Sequence, residues 1–271
     1  MEEHKRVITS QGDSMTQKGL YLYCITEAFE KLDLSNMGVD DNRVYTIGYK
    51  DLVAVVHDCP AAAYDSKDRE LVKKWVMAHQ GVVEHVWERS GTVVPFSFDT
   101  IIRGEESITA EQNLIKWLET DYGRLKEALD KVRGRAEYGV QIFWDPKIMA
   151  DKIVEDVPEI KKLHDEMKSK PAGAAYLYEE KLKSLVRKEM EKRADNYFKQ
   201  FYREIRSEVD DMKVDRAKKT DNNLQMIMNL SCLVIKEEAK GLGEVLDGLD
   251  SREGVCVRFT GPWPPYSFVG A

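Results

Sequence analysis

Residues 129–144, LDKVRGRAEYGVQIFW, decide how the chain divides. Leu129 and Val132 close a helical pattern that begins at Leu114 and continues through Leu118, Tyr122 and Leu125. Gly134 stops it, because a helix end commonly needs a left-handed residue that only glycine adopts freely. Tyr138, Val140, Ile142 and Trp144 then alternate with Glu137, Gly139 and Gln141, the period of a half-buried strand. Asp145-Pro146 marks a turn. The spacing therefore predicts a cut at Gly134, with one domain over 20–134 and a second over 135–271.

Upstream of the cut, Leu20–Thr26 (LYLYCIT), Arg43–Gly48 and Leu52–His57 read as strands. Ser66 and Asp68 open a helix whose apolar stripe is Leu71, Trp75, Ala78, Val82 and Val86, and Gly91 ends it. Thr92–Phe98 is extended, and Pro95 places it at a sheet edge. Thr109 and Gln112 form a capping box before Leu114. The order is β-β-β-α-β-α.

Downstream, residues 147–219 are helical and heavily charged, broken by Pro158 and Pro171. An unbroken helix over 172–219 would run about 60–70 Å, so it must bend, end early near Asp210-Asp211, or project. Leu224–Val234 is a long strand, Ala239–Leu249 a short helix and Val255–Thr260 a final strand. The order is β-α-α-β-α-β. Strands interleaved with helices imply packed layers of sheet and helix.

The 271 residues carry a net charge of −7 with no Lys/Arg-rich tract, which argues against nucleic acid as a partner. The longest purely apolar run, Leu52–Val56, is far too short to span a bilayer, and the polar stretch 1–19 lacks a signal-peptide core and reads as a disordered tail. Cys24, Cys59, Cys232 and Cys256 show no C-x-x-C spacing, so reduced thiols in a cytoplasm are expected. Three of them lie in predicted strands as small buried hydrophobes.

No phosphate loop, nucleophile elbow or zinc-binding helix occurs, so no catalytic residue, cofactor or metal site is assigned. His79 and His85, six apart on one helix, face different directions and cannot share a metal. His79 reads as a satisfied interior histidine, and the acidic pairs as solvated or helix-start charge. What remains are contact surfaces. One is the edge segment with Val94, Phe96 and Phe98. Another is the long helix, where 181–206 is net +5 and carries the aromatic shoulder Tyr197, Phe201 and Tyr202. That helix either covers a sheet or docks a partner; its interleaved charges argue against a membrane surface. The third is the ending GPWPPYSF, where Trp263, Tyr266 and Phe268 are too apolar to stay in water and must pack on the protein's own sheet or on a partner.

These stretches also carry a resemblance. Gly261–Phe268, Tyr21–Ile25 (YLYCI), Leu52–Val56 (LVAVV), Glu137–Val140 (EYGV) and Lys170–Leu177 (KPAGAAYL) resemble sequence blocks of the gas vesicle GvpF/GvpL family. So do His79–Glu84 and the subsequent Val93–Phe98 (VVPFSF). The blocks stand in family order across 20–268. The resemblance implies an α+β fold of two domains, the second a modified ferredoxin-like sheet with long helices. It implies a non-enzymatic accessory protein of the gas vesicle that binds the hydrophobic shell protein GvpA and other Gvp proteins during nucleation. The alternative is a minor structural component retained in the shell. A subunit that faces a gas space has an apolar side that would self-associate in water, so covering it during assembly is physically sensible.

Overall fold

The computed structural model describes residues 18–27, 34, 36–105, 107–218 and 223–269. The expected tail over 1–19 lies outside the described residues up to residue 17, and Lys18 and Gly19 already belong to the first strand. The chain falls into two units, residues 1–135 with 263–271, and Ala136–Pro262. The end of the chain, expected with the second half, groups with the first.

In the first unit, β1 (Lys18–Glu27) lies between β3 (Leu52–Pro60) on one side and β4 (Val94–Pro95) and β5 (Ile101–Arg103) on the other, and β2 (Tyr45–Tyr49) pairs outside β3. β1 and β3 run antiparallel with Tyr21 opposite His57, and a bulge comes after Leu22. Consecutive residues Leu20 to Ile25 are all buried, so both faces of β1 are covered. That explains an apolar run without alternation.

Helix α1 (Arg69–Ser90) starts at Asp68, whose carboxylate accepts from the backbone N–H of Glu70 and Leu71. It ends at Gly91 with φ 76°, the left-handed stop read from the sequence. Its buried stripe is Trp75, His79, Val82, Val83, Val86 and Trp87. Thr109 and Gln112 make the full capping box at the head of α2 (Ala110–Thr120). The single helix expected over 114–132 is two, because Asp121 leaves helical geometry between α2 and α3 (Tyr122–Val132).

The second unit is built from β6 (Arg135–Trp144), α4 (Pro146–Asp156), α5 (Pro158–Lys168), α6 (Ala172–Arg206), β7 (Asp211–Val214), β8 (Gln225–Ile235), α7 (Ala239–Asp250) and β9 (Val255–Trp263), of which only the end residues Arg135 and Trp263 group with the first. Pro146 and Pro158 stand at helix starts, where the missing N–H costs nothing. The strand order is β7-β8-β6-β9. Counted within the unit this is 2-3-1-4, the order of a βαββαβ ferredoxin-like sheet. α6 ends at Arg206, close to the early stop considered from its length. Beyond it the chain turns into β7, hydrogen-bonded antiparallel to β8 with Asp211 opposite Leu233, rather than into more helix. Met212 continues the helical spacing of Val209, so periodicity hid this short strand.

Candidate functional site

Tyr21 and Tyr23 project from one face of β1 onto His57 of β3 and His79 of α1. The Tyr21 hydroxyl lies 2.9 Å from His79 Nδ1, and Nε2 of that ring is 3.1 Å from the Phe96 carbonyl. A carbonyl only accepts, so Nε2 carries the hydrogen and Nδ1 accepts from Tyr21. The Tyr21 oxygen in turn accepts from the Asp99 N–H at 2.9 Å. The second half repeats this logic. Tyr23 accepts from the Val39 N–H at 2.9 Å and donates to His57 Nδ1 at 2.8 Å, leaving His57 Nε2 to donate to the Tyr64 hydroxyl at 3.0 Å.

The rings also stack: Tyr21 on His57 at 4.9 Å and Tyr23 on His79 at 5.4 Å. Burial pulls both histidines down to about 4, so they are neutral at pH 7. Burial pushes the Tyr21 and Tyr23 phenols well above their usual range and Tyr64 up to about 12. Every ring nitrogen of the pair is occupied by a hydrogen bond. The cluster organises the interior and offers no free base. His79 is the satisfied interior histidine expected. Sequence reasoning misses His57 and the tyrosines as a group. The signal it had is that Tyr21, Tyr23 and His57 stand at alternate positions in apolar runs.

The edge segment closes this cluster. Val94 and Phe96 are buried, which removes them as an exposed contact surface. β4 stands at the end of the sheet order as Pro95 indicated, but Phe96 donates its N–H to the Tyr23 carbonyl at 2.9 Å and sets its ring edge-to-face on Trp117 at 5.8 Å. Phe98 is half-buried beside Tyr21, Tyr64 and His79.

The aromatic shoulder of α6 is likewise turned inward. Phe201 is fully buried beneath the Arg252 guanidinium at 4.9 Å and stacks on Tyr197 at 5.2 Å. Tyr197 meets Trp144 of β6 at 6.2 Å. Tyr197 and Tyr202 are half-buried. The helix thus covers the sheet, with its outer charges in i, i+3 and i, i+4 pairs such as Lys183–Glu179 and Arg187–Glu191.

The C-terminal aromatics separate. Trp263, expected to pack, is 40% exposed, while Phe268 and Val269 are buried and Tyr266 is half-buried. The Lys131 ammonium covers the Phe268 ring at 5.7 Å. β9 extends past Thr260 to Trp263, so Pro262 sits in an edge strand, which tolerates the missing N–H. Phe259 is 41% exposed and stacks on Tyr138 at 5.2 Å. Cys24, Cys59 and Cys232 are buried free thiols, whereas Cys256 on this edge is exposed, correcting its reading as a buried hydrophobe. Among the described residues no His/Cys/Asp/Glu group is arranged to hold a metal, and no helix is long and apolar enough to cross a membrane.

A family model described as gas vesicle synthesis protein GvpL/GvpF matches residues 19–270. Gas vesicle protein L1 of Halobacterium salinarum is 30% identical over 281 residues, a match covering 96% of this chain and 94% of that relative. Gas vesicle protein L of Haloferax mediterranei is 29% identical over 244 residues, covering 88% of this chain and 74% of that relative. The fold is similar to the crystal structure of the gas vesicle protein GvpF from Anabaena sp., with a TM-score of 0.73 at 21% identity, covering 94% of this chain and 99% of that one. The mixed helix-and-sheet fold and the match over nearly the whole sequence agree: the chain belongs to the GvpL/GvpF family of gas vesicle synthesis proteins and has a role in gas vesicle formation.

Proposed function

We propose that the chain is a non-enzymatic assembly factor that binds the small hydrophobic shell protein GvpA, and other accessory Gvp proteins, while the vesicle nucleates. The observation that carries this reading is the exposed edge strand β9. It ends the strand order of the second sheet, and from Arg258 to Trp263 every residue is exposed. Phe259 and Trp263 add apolar surface, at 41% and 40% exposure. An edge strand presents unpaired backbone donors and acceptors, and a shell subunit awaiting assembly needs its own edges and apolar face covered. Val94, Phe96 and Phe201 are buried and offer no contact surface of their own; Trp263, Tyr266, Tyr202 and Tyr197 keep partial access.

Co-expression with tagged GvpA tests the reading. The full chain should be captured, and Phe259→Glu with Trp263→Glu should lower capture at least tenfold while leaving the circular dichroism spectrum unchanged. Undiminished capture by that variant would remove β9 as the contact. Purified vesicles washed with urea should lose the chain; its persistence would make it a retained shell component instead.

A further inference from the structure

The helices of the second unit lie on the sheet face that carries Trp144. The opposite face of the same strands carries a trough of about 650 Å³, lined by Gly139, Gln141, Asn229, Ser231, Arg258 and Thr260, and by Asp215, Arg216 and Lys218 just after β7. That volume is within the range of ligand sites, about 300–1,000 Å³. We propose that this trough binds an extended acidic peptide segment of a partner protein, with carboxylates held at its two ends.

The floor is fixed before any ligand arrives. Asn229, 8% exposed, accepts from Gln141 Nε2 at 3.3 Å and donates to the Arg216 carbonyl at 3.0 Å. The Asp215 N–H donates to the Asn229 carbonyl at 2.8 Å, and Ser231 donates its hydroxyl to the Asp215 carboxylate at 3.0 Å. These bonds hold the segment after β7 against β8. Gly139 leaves room for Thr260, whose hydroxyl oxygen stands 2.7 Å from where a β-carbon at 139 would lie.

The charges are left over. Arg216, Lys218 and Arg258 make no ion pair among the described residues, in a chain that is net −7. The one carboxylate in the trough, Asp215, is engaged by Ser231. The Arg258 guanidinium lies over the Phe143 ring at 5.5 Å, a cation–π contact that uses none of its N–H donors and leaves them for a carboxylate.

Spacing selects the ligand. Arg258 sits on β9, and Arg216 continues the position of β7, three strands away. Three steps of about 4.8 Å put the two ends roughly 14 Å apart. An extended chain covers that in about four residues at 3.3 Å each. Gln141 and Asn229 lie between the ends and suit a peptide backbone. Single-stranded RNA needs exposed rings for stacking; the only ring on the lining strands at this face, among the described residues, is Phe143, 4% exposed beneath Arg258.

The trough is separate from the hydrogen-bonding edge of β9, so its test does not depend on shell-protein capture. The probe is a fluorescein-labelled Gly/Ser peptide with glutamate at every fourth position, titrated with the full chain and read by anisotropy. Saturable binding is expected, weakened at least tenfold in the glutamine counterpart of the peptide and in Arg216→Gln with Arg258→Gln. The charge-matched control, Lys181→Gln with Lys188→Gln on α6, should bind like the unaltered protein. No saturable binding, equal binding of the glutamine peptide, or equal loss in the control would overturn the proposal. So would an oligouridylate that binds more tightly and is lost with the same arginines.

Discussion

Tyr23 and His57 are joined by a 2.8 Å hydrogen bond from the phenol to Nδ1, with Tyr23 held from its other side by the Val39 N–H at 2.9 Å. One hydroxyl thus satisfies a ring on β3 and a backbone donor from a separate turn. Tyr21 does the same for His79 and Asp99. The paired tyrosines tie β1 to β3, to α1, to the turn at Val39 and to the segment at Asp99 without any charge.

Tyr23→Phe keeps the ring and removes that oxygen. Two buried partners, Val39 N–H and His57 Nδ1, lose their bond at once. Leaving a buried polar group unpaired costs about 1–3 kcal/mol, so the urea midpoint should fall clearly although only one atom is deleted. A midpoint unchanged within error would mean that water replaces the hydroxyl.

Acid should destabilise the fold through His57 and His79. Both sit at about 4 in the folded protein against an ordinary 6.5, with burial as the leading cause. Between these values the unfolded chain binds more protons than the folded one. Stability is therefore fully present above pH 6.5 and declines as pH falls toward 4, by on the order of 3 kcal/mol per histidine. Urea melts at pH 7.5, 6 and 5 should show the decline. A flat profile would place the histidines in contact with solvent.

Phe268, not Trp263, anchors the chain end. Phe268→Ala should cost about 3–5 kcal/mol, the range for a buried aromatic ring. Trp263→Ala should cost about 1 kcal/mol or less, because much of its surface is already in water. Thermal melts of the two variants side by side decide this, and the reverse ranking would refute it.

On α6, Phe201→Ala should be strongly destabilising, again about 3–5 kcal/mol, because the ring is fully buried. Tyr202→Ala, one residue on and half-buried, should cost roughly 1 kcal/mol. Equal losses would show that the helix packs on both sides.

The residues themselves determined much of this protein. Alternation in 138–144 and the helix stop at Gly134 depend on neighbours along the chain, and β6 and the end of α3 fall where that pattern put them. The capping box at Thr109 and the breaks at Pro158 and Pro171 are equally local. The family motifs extended that reading to function, because their order survives when overall identity is low. Only the tertiary structure decided which aromatic residues face water. Val94, Phe96 and Phe201 look like a greasy surface in sequence, yet other elements cover them; Trp263 looks like an anchor, yet no element does so fully. The short strand β7, the tyrosine–histidine cluster and the cationic trough have the same origin. Each depends on residues far apart in the chain, such as Tyr21 with His79 or Arg216 with Asn229, and burial and pairing across such distances leave no period to read.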